Sequence, residues 1–146
     1  MGVGFKRGGM VSYAMINVSA QTGGTASGGG RFVKGRPVTV VAVPGSSYIF
    51  SGWYNGNILV STAATYTFVL TEDISLEARF IAQYTVSVSA GAGGTASGNK
   101  TANVGSSVTV TASPNTYYTF DGWYEGNTKV SSLASYTFTL TRNVTL

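Results

Sequence analysis

Few residues in this chain are able to perform acid/base or metal chemistry. Its 146 residues include no histidine and no cysteine, and the acidic side chains are Glu72, Asp73, Glu77, Asp121 and Glu125. Acid/base hydrolysis needs a positioned pair of such groups, and calcium needs several clustered oxygens. The imidazole and thiolate sites that zinc and copper prefer are excluded by composition alone.

An internal repeat dominates the sequence. The stretch YIFSGWYNGN at positions 48–57 returns as YTFDGWYEGN at 118–127, and one offset of 70 positions aligns the two copies without a gap. About half of the aligned positions are identical. This self-similarity indicates a structural module that is used at least twice in a row.

The acidic residues do not follow the repeat. Their counterparts in the other copy are uncharged or basic: Asp121 aligns with Ser51, Glu125 with Asn55, Glu72 with Arg142 and Asp73 with Asn143. A catalytic pair would therefore belong to one copy only, without a nucleophile, a base and an orienting group around it. We expect no enzyme activity, no catalytic residue, no metal site and no cofactor.

The aromatic residues of the repeated stretch are the remaining candidates for a recognition site. An exposed Trp53 or Trp123, together with its neighbour Tyr54 or Tyr124, would stack on a sugar ring as in carbohydrate-binding modules. The competing interpretation places both tryptophans in the core, where each indole would contribute roughly 150 to 250 Å² of burial. A module of this size has few other large side chains, so we expect the core.

A core position for the tryptophan requires an irregular strand. In a regular strand Phe50 and Trp53 point to opposite faces, because side chains alternate with a period of two. A bulge at Gly52, and at Gly122 in the second copy, would shift the register by one residue and turn both aromatic rings inward.

Composition and charge narrow the class of protein further. Charged residues make up 10% of the chain, and a surface rich in hydroxyl groups points outside the cell. The net charge of +4 is no sign of nucleic-acid binding, because the cluster of Arg31, Lys34 and Arg36 is confined to the first copy. No apolar run reaches the roughly 20 residues that span a bilayer, so we expect no membrane insertion.

Alternating apolar residues predict short strands in both copies. The pattern is clearest at 38–44, 65–70, 74–80 and their second-copy partners, and NGN or EGN marks a hairpin turn. No window has the apolar spacing of a long helix. We predict five to seven strands in each copy, with 23–28 as a turn bearing at most a short edge strand and 28–36 as a loop.

The repeat also sets the domain boundaries. Residues 1–12 are interpreted as a leader or an added segment, 13–82 as the first module and 83–146 as the second, with 81–83 as the connection. The second copy stops at Leu146, before counterparts of residues 77–80. We therefore expect a C-terminally truncated and less stable second module, in a fragment whose export signal lies upstream.

The order of these motifs resembles a known family. A strand, the GGTAS turn, VTVTA-x-P, Y-x-F-x-GWY and a closing ISLEARF together resemble the divergent internalin B-repeat family of bacterial surface proteins. The resemblance implies a small β-grasp-like fold, so the expected fold class is all-β or β-dominated, with two tandem modules and no long helix. It implies an extracellular or cell-surface location and no catalytic residues.

Two functions are consistent with these residues. The first is a structural or adhesive repeat that acts as a spacer or interaction stalk, and the alternative is a glycan-binding module. The partner, if there is one, would be a host or cell-surface protein or a glycan, bound by a monomer. Shared core residues with drifting surface residues favour the spacer.

Overall fold

A computed structural model of the chain describes residues 10–146. The regular structure in this part of the chain consists of β-strands, which form two compact units: the described residues up to Phe80, and Ile81–Leu146. The prediction of an all-β chain with two tandem modules and without a long helix is confirmed.

Unit 1 contains seven strands of its own and the first half of an eighth. The strands are β1 Tyr13–Ala20, β2 Gly24–Ser27, β3 Gly30–Val33, β4 Pro37–Pro44, β5 Tyr48–Asn55, β6 Ile58–Ser61, β7 Thr65–Val69 and β8 Ile74–Ser87. One sheet has the order β3-β1-β8-β5-β6, and a second has the order β2-β4-β7. Within the first sheet β1 and β8 are parallel, with Ile16 opposite Ile74 and Ala20 opposite Ala78.

The core of unit 1 is built from the alternating residues of these strands. The buried set consists of Ala14, Ile16, Val38, Val40, Ala42, Trp53, Leu70, Leu76, Ala78 and Phe80. In β4 the apolar residues that alternate with exposed ones are those predicted from the sequence, and β8 buries one face in the same way. The two sheets therefore bury their apolar faces in one shared core.

Unit 2 repeats this arrangement with the second half of β8 as its opening strand. The other strands are β9 Gly94–Ser97, β10 Lys100–Asn103, β11 Ser107–Pro114, β12 Trp123–Glu125, β13 Thr128–Ser131, β14 Ser135–Thr139 and β15 Val144–Thr145. β8 pairs with β10 antiparallel and with β15 parallel. β9, β11 and β14 form a three-stranded sheet, and β12 pairs with β13.

The predicted turns are present. Asn55 ends β5 and Ile58 begins β6, so NGN closes a hairpin with Gly56 at φ 60°. The same turn in unit 2 has Gly126 at φ 59°. Glycine adopts this left-handed conformation without the steric cost that a Cβ would bring. Strand β4 ends at Pro44, as expected of a residue that lacks the N–H donor.

Two details of the sequence prediction were wrong. Each unit has more than seven strands, because the predicted loop at 28–36 contains β3 and its counterpart contains β10. The short edge strand allowed for in the turn at 23–28 is present as β2, which pairs with β4. Residues 81–83, predicted as a connection, lie inside β8.

The N-terminal segment lies mostly outside the described residues. Of the predicted leader at 1–12, residues 1–9 lie outside them, while Met10 and Val11 are exposed and precede β1. Within the described part of the chain, no helix is long and apolar enough to span a membrane.

Our first prediction is that unit 2 is less stable than unit 1. Unit 1 buries Ala78 and Phe80 on its closing strand, whereas β15 ends at Thr145 and Leu146 is the last buried residue of unit 2. Burying a phenyl and a methyl group is worth roughly 2 to 3 kcal/mol. Native-state hydrogen exchange should therefore be at least about tenfold faster in unit 2.

Two matched amides are suited to this measurement. Leu70 N donates to Arg36 O at 3.1 Å and Leu140 N donates to Ser106 O at 2.8 Å, and both leucines are buried. Phe80→Ala is the control, because it should lower the protection of Leu70 toward that of Leu140. Equal protection of the two amides in the unaltered chain would contradict the prediction.

Candidate functional site

The first candidate residue, Trp53, is fully buried. It lies on β5 with 0% of its surface exposed, and its ring meets the ring of Phe50 edge-on at 5.9 Å between centroids. The indole Nε1 donates a hydrogen bond to the carbonyl oxygen of Ala64 at 3.2 Å. The indole therefore has both its apolar surface and its one donor satisfied within unit 1.

Trp123 has the same environment in unit 2. It is 3% exposed, its ring lies 5.9 Å from that of Phe120, and its Nε1 donates to Ala134 O at 3.2 Å. Neither indole offers a free face, so the structure places both tryptophans in the core rather than on a stacking surface.

The bulge predicted at Gly52 and Gly122 was wrong in its position. The register of β5 against β6 shifts between Trp53 and Tyr54, not at Gly52, and the same shift occurs after Trp123 in β12. A Cβ at Gly52 would meet the end of the exposed Leu59 side chain, which would have to move. The residue left without a partner is Val60 of β6, so the shift changes the pairing that follows Trp53 and leaves the alternation from Phe50 to Trp53 unaltered.

The two tyrosines that follow the tryptophans have different neighbours. Tyr54 is half-buried under the guanidinium of Arg79, whose Cζ lies 4.1 Å from the ring centroid. Arg79 is fixed there by Glu77 at 2.7 Å and by the carbonyl of Gly56 at 2.8 Å. One face of the Tyr54 ring is thus covered by a cation.

Tyr124 is more open than Tyr54. It is 37% exposed, and its hydroxyl donates to Asp121 Oδ2 at 2.8 Å. This hydrogen bond to the carboxylate, together with partial desolvation and the negative charge of Asp121, raises the pKa of Tyr124 above its ordinary value.

The other carboxylate of the repeated stretch forms an ion pair. Glu125 Oε1 lies 2.8 Å from Arg142 Nη1, and this contact lowers the pKa of Glu125 and raises that of Arg142. Asp121 lies 4.0 Å from Lys129 Nζ. Each of these carboxylates has a basic partner on the surface, and among the described residues no group of three or more potential metal ligands lies together.

Two residues that the sequence comparison treated as unrelated perform the same task. Asp73 Oδ1 accepts a hydrogen bond from the amide of Met15 at 2.8 Å, and Asn143 Oδ1 accepts one from Thr85 at 2.9 Å. Both pairs occupy equivalent repeat positions. The shared side-chain oxygen, rather than the charge, was the signal that could have identified them.

Unit 2 contains a cleft beside its tryptophan. It has a volume of about 300 Å³, and Gly94, Ala96, Tyr118, Phe120 and Trp123 are among the residues that line it. In unit 1 the equivalent space is filled by Phe80, whose ring packs edge-on against Phe50 at 5.9 Å. Sequence reasoning predicted the missing burial but not that it would leave a cleft beside the tryptophan.

These features define a class of protein before any comparison. Two all-β units of the same design, each with a buried tryptophan and a bulged hairpin, characterise a tandem-repeat protein. The divergent InlB B-repeat domain matches the chain twice, at residues 14–83 and 84–146. The chain therefore belongs to the divergent InlB B-repeat family.

Neither the curated proteins nor the solved structures include a significant match to this chain.

The second prediction concerns the tryptophans. Trp53→Ala and Trp123→Ala should each cost about 3 to 5 kcal/mol in the unit that carries the change, because each leaves a large cavity. Denaturant unfolding measures this cost. Circular dichroism follows both units, and fluorescence of the remaining tryptophan follows the unaltered unit alone. A variant that kept its unfolding midpoint would contradict the core role.

The third prediction concerns Tyr124. Asp121→Asn removes the carboxylate that disfavours the phenolate, so the pKa of Tyr124 should fall toward 10.0. NMR titration of isotope-labelled tyrosine rings at alkaline pH measures the change. Glu125→Gln is the control, because this carboxylate pairs with Arg142 instead and its loss should have a smaller effect. An unchanged Tyr124 pKa in Asp121→Asn would show that the hydrogen bond does not persist in solution.

The fourth prediction concerns the shared acceptor. Asn143→Asp keeps the side-chain oxygen and should change the stability of unit 2 little, whereas Asn143→Ala should cost about 1 to 2 kcal/mol by leaving the Thr85 amide without this partner. Denaturant midpoints of the two variants give the comparison. Equal denaturant midpoints for the two variants would show that this hydrogen bond does not contribute to the stability of unit 2.

Proposed function

We propose that the chain is a pair of structural repeat modules from a secreted or surface-attached bacterial protein, where they act as a spacer or interaction stalk without enzyme activity. The observation that carries this proposal is that the units share their buried residues. The matched buried pairs are Ile16/Val86, Val38/Val108, Val40/Val110, Trp53/Trp123, Leu70/Leu140 and Leu76/Leu146. In a spacer, only the residues that stabilise the fold have to recur from one copy to the next.

The outer surface of the sheets supports an extracellular role. On the sheet of β9, β11 and β14 the exposed face consists of hydroxyl residues: Thr95, Ser97, Ser107, Thr109, Thr111, Ser113, Ser135, Thr137 and Thr139. Thr109 and Thr137 form a cross-strand hydrogen bond at 2.6 Å, and Thr39 and Thr67 form its counterpart at 2.8 Å. Such a neutral face is well solvated and suits a module in continuous contact with water.

The glycan-binding alternative has weaker support. Its two tryptophans are covered, Arg79 lies over Tyr54, and Tyr124 alone among the four candidates is exposed. The polar neighbours of this position also differ between copies, with Ser51 in one and Asp121 in the other. A tandem binder would be expected to repeat both the aromatic platform and its polar partners.

The partner proposed for a stalk is a host or cell-surface protein, bound by the monomer, rather than nucleic acid or a bilayer. The surface ion pairs argue against the nucleic-acid alternative, because they neutralise several of the few acidic and basic side chains locally. No extended basic surface is left in unit 2 by these pairings, as nucleic-acid binding would require.

The fifth prediction tests location and ligand together. Antibodies against the purified chain should label intact cells of the source organism, and added protease should remove the label; labelling only after permeabilisation would refute the proposed location. On a glycan array, the chain and its Tyr54→Ala/Tyr124→Ala double variant should give the same signals. A glycan bound by the chain and lost by the variant would establish the alternative.

A further inference from the structure

The strands by which the chain enters and leaves unit 1 lie side by side. β1 is the first strand of the unit, and β8 closes the unit and continues without a break to Ser87. The two strands are parallel neighbours in one sheet, with Ile16 opposite Ile74 and Ala20 opposite Ala78. Tension along the chain therefore enters at the start of β1, leaves at the far end of β8, and pulls the two strands in opposite directions along their length.

In this geometry the hydrogen bonds between β1 and β8 bear the load together. The bonds of a ladder run between the strands, so a force along the strands acts on all of them at once. A force that separates one end of a strand pair breaks the same bonds one after another. Forced unfolding is governed by the unfolding rate, and that rate is lower when several bonds have to break in one step.

The β1–β8 ladder is extended at both ends by further hydrogen bonds. At its start, the amide of Met15 donates to Oδ1 of Asp73 at 2.8 Å. At its far end, the amide of Gln21 donates to the carbonyl oxygen of Ala78 at 2.9 Å. The aspartate side chain thus adds one bond at the end of the ladder where force on β1 enters.

The surroundings of the ladder limit the access of water to its bonds. Both strands are internal in the sheet, since β3 lies on the other edge of β1 and β5 on the other edge of β8. On the inner face, Ile16, Leu76 and Ala78 are at most 1% exposed. Water competes for a hydrogen-bonding group only where it reaches that group, so the covered edges and the buried face protect the loaded bonds.

We propose that unit 1 is a load-bearing module in which the β1–β8 ladder is a mechanical clamp against tension along the chain. The inference rests on the proposed role as a stalk, and it adds that the stalk stays folded when the cell and a bound partner are pulled apart. The strand that closes the clamp also carries the tension onward, because residues 81–83 lie inside β8.

Single-molecule pulling of the full chain in two directions tests the clamp. The chain has no cysteine, so pairs of introduced cysteines define the points of attachment. Ser12→Cys with Ser87→Cys loads the ladder along the strands, whereas Ser12→Cys with Glu72→Cys loads the same two strands at one end; all three positions are exposed. At equal pulling speed the first pair should give an at least about twofold higher rupture force, because only there do the bonds break together.

The length released identifies the unit that ruptures. Unfolding of residues 13–80 between the first pair of cysteines should lengthen the chain by roughly 200 Å, since an extended residue spans at most about 3.3 to 3.6 Å and the folded strands already span part of the distance.

Variants of Asp73 test the extended end of the ladder. Asp73→Ala removes the bond closest to the point where force enters β1, so unit 1 should unfold about fivefold faster at a fixed force along the strands. Asp73→Asn keeps the acceptor oxygen, as Asn143 does in unit 2, and should unfold at the original rate. Glu72→Ala, which removes the adjacent exposed carboxylate, is the second control. Retained NMR dispersion shows that each variant is folded.

Equal rupture forces in the two pulling directions would overturn the proposal, as would unfolding of Asp73→Ala at the original rate. The forces are measured on the purified chain and are independent of its location. Surface labelling of cells combined with equal forces would therefore refute the clamp alone. Absent labelling combined with a higher force along the strands would refute the proposed location alone.

Discussion

Each unit depends on the parallel pairing of its first strand with its closing strand. In unit 1, β8 lies between β1 and β5, so it is hydrogen-bonded on both edges and buries Leu76, Ala78 and Phe80 on one face. Unit 2 has the same pairing over two residues of β15 only. The shortened pairing accompanies the short β12, the cleft and the exposure of Tyr118, because each of these features adjoins the place that residues 77–80 take in unit 1.

The tryptophan is a second constraint that acts within this frame. The indole packs edge-on against Phe50, and its N–H is bonded to the carbonyl of Ala64. The pairing of β5 with β6 shifts directly after it. The same set recurs around Trp123. The aromatic residues of the repeated motif are therefore core residues in both units rather than parts of an exposed binding surface.

Much of this architecture could be predicted from the sequence because alternation of apolar residues follows directly from strand geometry. The alternating residues of β4 and β8 identified one face of each sheet correctly, and the glycine of NGN identified the hairpin. β3 and β10 were missed because each has only four residues and no clear apolar alternation, and Lys100–Asn103 has little apolar character. The cleft was missed because the absence of counterparts of residues 77–80 in unit 2 was considered only as a loss of stability.

The pairing of first with last strand also has a consequence for synthesis on the ribosome. Ile16 and Ile74 face each other across a parallel ladder, although they lie 58 positions apart in the chain. At about 5 to 20 residues per second, β1 emerges roughly 3 to 12 s before its partner. During this interval its edge is open to other nascent segments, and in a tandem array the equivalent closing strand of a neighbouring copy is a competing partner. Sequence differences between adjacent copies, such as Ile16 against Val86 and Ala14 against Tyr84, would then disfavour pairing between strands of different copies.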